Sequence, residues 1–407
     1  MTEKKPFLSI CIPTRNRAAF LYRTLRSITE SPVFQNGNEI EIVVSDNAST
    51  DATREVAALF TRKYPDKIVY SRNEEDIADK NFEKSLSLGN GEFLKLNNDT
   101  FWFDGDGLAK MLSDVKKYAT DRPVLFFSNN KDGRETVCSD MNEFVRNASY
   151  TVTWLGSFGI WKTDFDRMTD FSKNADKYLA QTDVLFREIT RRGKAVILPE
   201  QYTKYQFVWN KPKYDVSKIF GEYYPDFLQS YVESGVVSKS VFKKEKQRVL
   251  RHIFNYYFSF NMAGNDLEFF DGLKKHYAFN LFFYLKLVAF LSNHLIKKLI
   301  YWWKIKRRGV DGNFRKQWRK RNPAASVVPL KFDCLNSIYA GNGAIGELNI
   351  ENCDPEKNTL IIGERVKIGK DVRFVFNGAG KMIFVADGTE IPDGTTVYPD
   401  TGRGSAL

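Results

Sequence analysis

The sequence is poor in the residues that several common chemistries require. It holds only 3 histidines and 4 cysteines among 407 residues. Cys11, Cys138, Cys334 and Cys353 are far apart and form no C-x-x-C pair, so neither a zinc ribbon nor a disulfide framework is indicated, and a reducing compartment fits best. The start, Met1-Thr-Glu-Lys-Lys-Pro-Phe-Leu8, lacks the apolar core of a secretory signal, so the expectation is a protein that stays where it is made. A spanning helix needs roughly 20 mostly apolar residues. The richest stretch, 276–303, is broken by Lys286, Asn293, His294, Lys297 and Lys298. Disorder over most of the length is excluded as well, because 43% of residues are hydrophobic, 14% aromatic and 27% charged.

Basic charge is what the chain has in excess. The 61 Lys and Arg against 50 Asp and Glu give a net charge of +11, which points to anionic partners and is silent on fold. Much of the excess follows the aromatic stretch, at Lys304, Lys306, Arg307, Arg308, Arg315, Lys316, Arg319, Lys320 and Arg321. An aromatic, apolar helix followed by such a run reads as an anchor at an anionic membrane surface. A core helix followed by a solvated linker is the alternative. Stacking aromatics do not interleave with the basic run, so nucleic acid is not expected as a partner.

The first part of the chain alternates short β-branched runs with helical patterns. Strands are expected at Leu8–Ile12, Glu41–Ser45, Lys67–Tyr70 and Glu92–Leu96. Helices are expected around Ala18, Leu21, Leu25 and Ile28, around Val56, Leu59 and Phe60, and around Phe82 and Leu86, from apolar spacings of three and four. Such βαβ alternation specifies a mainly parallel α/β sheet with flanking helices, whose ligands lie outside the carboxyl ends of the strands. Further strands are expected at Val124–Phe127, Ser157–Trp161 and Ala195–Leu198, with a helix over Asp183–Arg192. The pattern turns helical and aromatic from 212 to about 303, and Pro323–Pro329 reads as a linker. Beyond it, Ile362-Gly363, Ile368-Gly369 and Phe374, and then Ile391 and Val397, recur every six residues. This tail resembles the hexapeptide-repeat left-handed β-helix of acyltransferases in short, degenerate form. All three histidines lie upstream of it, so oligomerisation, acceptor binding or capping are the roles left to it. Gly341-Asn-Gly343-Ala-Ile-Gly346 satisfies G-x-G-x-x-G but sits inside this β-repeat, not between a strand and a helix, so no dinucleotide is expected there.

Candidate chemistry sits after the first two strands, at Pro13-Thr14-Arg15-Asn16-Arg17 and Asp46-Asn47-Ala48-Ser49-Thr50-Asp51. A carboxylate there can accept hydrogen bonds from a base or ribose, while an arginine and helix amino-terminal amides favour phosphate. Capping by Asn16 and Asp51 is the plainer reading of either motif alone. Together, over roughly the first 210 residues, these segments resemble the family 2 glycosyltransferases of GT-A fold. The resemblance implies a nucleotide-sugar donor, UDP-linked by expectation, near Pro13, Thr14, Arg15 and Arg17. It implies Asp46 on the base, and Asn81 and Asn98 among the donor-binding residues. The family's Asp-x-Asp is replaced by Asn97-Asn98-Asp99, leaving Asp99 to hold Mn²⁺ or Mg²⁺. Asp104 and Asp106 read as turn and helix start. Asp183, in Gln181-Thr182-Asp183, stands where the family places its general base, although Thr182 or Asp183 could merely cap that helix.

The resulting expectation is three regions: a GT-A domain over 1–211, a helical, membrane-associating region over 212–322 and a β-helix-like domain over 330–407. The expected activity is inverting transfer of a sugar from a nucleotide sugar to a surface polysaccharide or lipid-linked glycan, at the inner face of the cell membrane, with oligomerisation through the tail. A catalytically silent sugar-binding or assembly protein on the same fold is the alternative.

Overall fold

The computed structural model describes residues 5–128, 134–199, 201–206, 215–260, 266–277, single helical positions between 284 and 303, and residues 326–329, 338–352 and 357–399. The basic run 304–321 lies outside the described residues. In chain order the amino-terminal elements are β1 (Leu8–Thr14), α1 (Ala18–Thr29), α2 (Pro32–Asn36), β2 (Ile40–Asp46), α3 (Thr53–Lys63), β3 (Ile68–Arg72), α4 (Lys80–Ser87), β4 (Phe93–Leu96), β5 (Phe101–Phe103), α5 (Gly107–Lys116), β6 (Val124–Ser128), β7 (Thr136–Cys138), α6 (Met141–Ala148), β8 (Gly159–Trp161), α7 (Lys162–Phe165), α8 (Ala180–Arg192), β9 (Ala195–Pro199) and β10 (Thr203–Tyr205). α9 (Val216–Lys218), α10 (Tyr224–Glu233), α11 (Lys239–Phe260) and α12 (Asp266–Tyr277) follow.

The central sheet runs β3-β2-β1-β4-β8, parallel except for β8. β1 and β2 are buried along their whole length, which is why each reads as a near-continuous apolar run with no alternation. The chain leaves β1 in one direction for β2 and β3 and returns to β1's other edge as β4. The crevice between the ends of β1 and β4 is therefore the topological switch point where such sheets bind ligands. A second sheet, β6-β9-β7, packs beside it, and Phe126 bridges to Phe158. One core lies under α1, α3 and α5; the other joins α6 and α8 to α10 and α11, through contacts such as Phe186 on Phe227 and Tyr231. Each fully buried aliphatic side chain in these cores contributes about 1.5–3 kcal/mol.

The carboxy-terminal strands are β11 (Ser326–Pro329), β12 (Ile338–Ala340), β13 (Ile345–Glu351), β14 (Thr359–Ile362), β15 (Lys367–Ile368), β16 (Arg373–Val375), β17 (Met382–Val385), β18 (Glu390–Ile391) and β19 (Thr396–Val397). All pair in parallel: β12-β14-β17 on one face, with β13, β15, β16, β18 and β19 on the others. Ile362, Ile368 and Phe374 point inward, as do Val385, Ile391 and Val397, so the six-residue spacing marks successive faces of one coil. The third face is longer than six residues. Bonds between equivalent corners, Glu364 N to Asp387 and Lys370 N to Asp393, span 23 residues, so the stacking period departs from three equal hexapeptides. The expected linker is also shorter than its composition indicates, because Ser326–Pro329 already pairs with β13. Gly341–Gly346 turns from β12 into β13, with no helix following it.

Candidate active site

The loops after β1 and β2 are stitched to each other before any ligand is considered. Thr14 and Asp46 sit side by side in register, and Asn47 N donates to Thr14 O. Asn16 and Ala48 adopt the left-handed backbone region (φ 51° and 55°), which turns both loops sharply. Asn16 Oδ1 accepts from Thr50 N at 2.7 Å, and Asn16 N donates to Ser49 Oγ at 2.9 Å. Asp51 caps two helices at once, accepting from Ala18 N of α1 and from Thr53 N of α3. Burial pushes its pKa up, partly offset by those hydrogen bonds.

Asp46 is fully buried, with both oxygens engaged: Oδ1 accepts from Ser49 N at 2.9 Å and Oδ2 from Tyr70 Oη at 2.7 Å. Arg72, its register partner on β3, brings Nε within 3.7 Å. Burial first, and Asp46 second, drive the Tyr70 phenol well above its usual range. Asn81 is equally enclosed, accepting from Ser45 Oγ and Asn73 Nδ2 and donating to Ser45 O. Both residues thus organise the loops in this structure. Arg15 lies at the rim against Asp76, which also accepts from Asn47 Nδ2.

Asp99 comes to the same edge from β4. Its Oδ2 accepts from Thr14 Oγ1 at 2.9 Å and its Oδ1 from Arg17 Nη1 at 2.9 Å, while its carbonyl accepts from Thr24 Oγ1. The Asp99 side chain is 2% exposed and the Arg17 side chain 21%, so the guanidinium is the part of the couple that solvent or a ligand can reach. Half-buried Asn98 lies beside it, and Asn97 spends its amide on Asn98 O and Phe101 O.

This donor set does not fit a divalent ion as it stands. Mg²⁺ takes one or two carboxylates with waters and phosphate oxygens, yet the single carboxylate here has both oxygens occupied, one of them by a cation. Among the described residues no group of three or more His, Cys, Asp or Glu could hold a metal.

Asp183 lies in the first turn of α8. The capping alternative falls away, because α8 begins at Ala180 and Asp183 N already donates to Leu179 O. The α8 start is tied to residues 152–153 by Thr182 Oγ1 to Val152 O and Gln181 Nε2 to Thr153 O. The turn that follows reaches β4 through the buried Lys95, whose Nζ donates to Leu96 O and, very closely, to Gly156 O. Asp183 is 6% exposed, with Arg187 Nε 3.0 Å away and Tyr231 of α10 close enough to feel its charge. Ser157 Oγ, Gln181 Oε1, Asp183 Oδ2 and Arg187 Nε are, among the described residues, the buried side-chain polar atoms without a hydrogen bond. No hydrogen bond or ion pair among the described residues joins Asp183 to Asp46 or Asp99. Thr14, Arg17 and Asp99 are bonded to one another, and Asp46 lies beside Thr14 in register.

Sequence reasoning passed over Tyr70, Arg72, Asp76 and Lys95. For Arg72 a signal was available, since it closes β3 as Asp46 closes β2. Lys95 in the apolar Phe93–Leu96 run had none, because the carbonyl of Gly156 that it bonds is 61 residues away.

Residues 9–150 match the family model described as Glycosyl transferase family 2. The chain is 35% identical over 174 residues to the abequosyltransferase RfbV of Salmonella typhimurium, covering 42% of this chain and 45% of that one. It is 31% identical over 126 residues to the GalNAc(5)-diNAcBac-PP-undecaprenol beta-1,3-glucosyltransferase of Campylobacter jejuni, covering 30% of this chain and 38% of that one. These matches span less than half the length of either relative. Among solved structures, S. aureus TarS 1-349 in complex with UDP-GlcNAc aligns at a TM-score of 0.44 and 15% identity, covering 66% of this chain and 79% of that one.

Proposed function

We propose that the chain transfers a sugar from a nucleotide sugar to a hydroxyl of a surface polysaccharide or lipid-linked glycan, with inversion at the anomeric carbon. The observation that carries the reading is the meeting of Thr14, Arg17 and Asp99 at the β1–β4 switch point, within a segment matching a glycosyltransferase family. Asp99 holds the Arg17 guanidinium at the head of α1, where the helix amides and this cation together favour a diphosphate. The charge that develops on the departing nucleoside diphosphate is then dispersed by Arg17, and no step is routed through a metal. An ion at Asp99, the Mn²⁺ or Mg²⁺ of the family resemblance, would have to displace Arg17.

Asp183 is the proposed general base, taking the proton of the acceptor hydroxyl as oxygen attacks the anomeric carbon. Its Oδ2 is ion-paired with Arg187 Nε at 3.0 Å and accepts no hydrogen bond, so this buried carboxylate keeps acceptor capacity for a hydroxyl. The relative named for an undecaprenol-linked substrate supports a lipid-linked acceptor. The test is a panel of nucleotide sugars, UDP-linked first, assayed for released diphosphate with a native membrane extract as acceptor. Release from at least one donor is expected, and release from none contradicts the reading. Donor binding without turnover would favour the silent alternative.

An anionic membrane surface is the partner we propose for the stretch before the basic run. Leu285, Val288, Leu295, Ile296, Leu299, Ile300 and Trp303 are helical and exposed, at the three-and-four spacing of one face. No helix among the described residues is long and apolar enough to cross a membrane. Apolar residues with neighbouring lysines and arginines bind such a surface without spanning it. Replacing Leu295 and Leu299 by Gln should abolish flotation with anionic vesicles, and unchanged flotation would remove this partner.

A further inference from the structure

The carboxy-terminal β-repeat is seated on α1, the helix that carries Arg17 at its head. Tyr22 of α1 packs against Tyr339 (centroids 5.3 Å apart) and Phe384 (5.7 Å), and Tyr339 and Ile361 belong to the same buried cluster as Leu21, Leu25 and Ile12. One turn on, Arg26 grips Asp387 in a bidentate pair at 2.9 and 2.7 Å, with Glu364 3.8 Å away, and Arg26 is only 12% exposed. That pairing holds the Asp387 carboxyl below its usual range. Fork-to-carboxylate geometry fixes orientation as well as distance.

A second contact reaches the donor loop itself. Gly380, at φ +70°, approaches Thr50 so closely that an added Cβ would lie 2.9 Å from Thr50 O. Thr50 N is the group that binds Asn16 Oδ1. Asn16 in turn precedes Arg17 and lies in the left-handed turn that aims it.

We infer that the β-repeat is a positioning element of the donor site: docked on α1 and abutting Thr50 through Gly380, it holds the Asn16–Thr50 clasp that sets the height of Arg17. The inference rests on the donor reading above for its functional consequence, but its structural part stands independently. The repeat supplies an internal control. Asp393 occupies the corner equivalent to Asp387 and accepts from Lys370 N as Asp387 accepts from Glu364 N, yet no contact with α1 is among its described bonds. Removing either carboxylate loses one corner bond, and only Asp387 also loses the grip on Arg26.

The experiment compares Asp387→Ala, Asp393→Ala and Gly380→Val in the full chain. Amide hydrogen exchange over residues 46–52 is read by mass spectrometry, alongside donor KM and kcat and calorimetric binding of free UDP, GDP, CDP and dTDP. Asp387→Ala and Gly380→Val should speed exchange over 46–52 and raise donor KM about fivefold, with kcat within about twofold of wild type. Asp393→Ala should move neither, and Asp387→Glu should restore most of the loss. Equal behaviour of Asp387→Ala and Asp393→Ala, or unchanged exchange over 46–52 in both interface variants, overturns the inference. If Gly380→Val does not fold, the two aspartate variants decide alone. Accelerated exchange in a protein that binds none of the nucleotides would uphold the brace and sink the donor reading, so the two failures are distinguishable.

Discussion

The two halves of the site differ in how far the protein has already satisfied them. On the donor side, Asp46, Asn81 and Asp99 have their polar atoms matched by neighbours, so the loops stand ready-made. On the Asp183 side, Ser157 Oγ and Gln181 Oε1 are buried without a hydrogen bond, while Asp183 Oδ2 and Arg187 Nε meet only as an ion pair at 3.0 Å. A closed network rigidifies and costs little to maintain, whereas each unmade buried bond costs on the order of 1–3 kcal/mol. On the proposed assignment, the donor loops are preformed in the fold, while the Asp183 side keeps buried polar atoms for what binds there.

The sharpest way to break that contrast is Asp183→Asn, which keeps shape and removes the base. Turnover should fall about 10²–10⁴-fold with binding of free UDP unchanged, and equal losses in both measurements would place Asp183 in the donor site. Next in size is Arg17→Lys, which keeps the charge that compensates Asp99 and loses the planar fork. One weakened charged hydrogen bond of about 1.5–3 kcal/mol corresponds to a rise in donor KM of about 10–100-fold, read from initial rates.

A smaller effect concerns the seam between α11 and the acceptor side. Glu245 accepts from Ser149 Oγ and Tyr224 Oη, and burial pushes its pKa up to about 7. A carboxyl whose pKa is raised by folding contributes stability that is complete below its unfolded value and is lost as pH rises through about 7. His252, brought down to about 4 by burial, acts in the opposite sense at lower pH, since its contribution is lost as pH falls through that value. Glu245→Gln should therefore melt several degrees above wild type at pH 8 and close to it at pH 5; a constant gap would assign the difference to something other than ionisation. The smallest expected effect is none at all: EDTA should leave donor turnover unchanged, and its loss, restored by Mn²⁺, would return Asp99 to a metal.

Much of the donor half was legible because its signals are local. β1, β2 and β4 declared themselves as apolar runs, and Thr14 and Asp46, which end the first two, and Asp99, just beyond the third, follow from where such runs stop. Capping was partly misjudged for the same reason: Asp51 does cap, but it also caps α1 across the loop, which adjacency in sequence does not reveal. Asp99's partners were invisible, since Arg17 is 82 residues away and the pairing exists only once β4 lies beside β1. The tail's six-residue period was readable as spacing between faces, whereas the 23-residue stacking period depends on the long third face, whose residues carry no repeat. Its seat on α1 was hidden too, because Tyr22 and Arg26 look like any half-apolar helix face until Tyr339 and Asp387 meet them.

A crystal structure of the full chain with UDP bound tests the account most directly. The account requires the diphosphate at the β1–β4 edge, with the Arg17 guanidinium within hydrogen-bonding distance of a phosphate oxygen while still paired to Asp99. Nucleotide density away from that edge, or a metal ion seated on Asp99 with Arg17 swung aside, would contradict it.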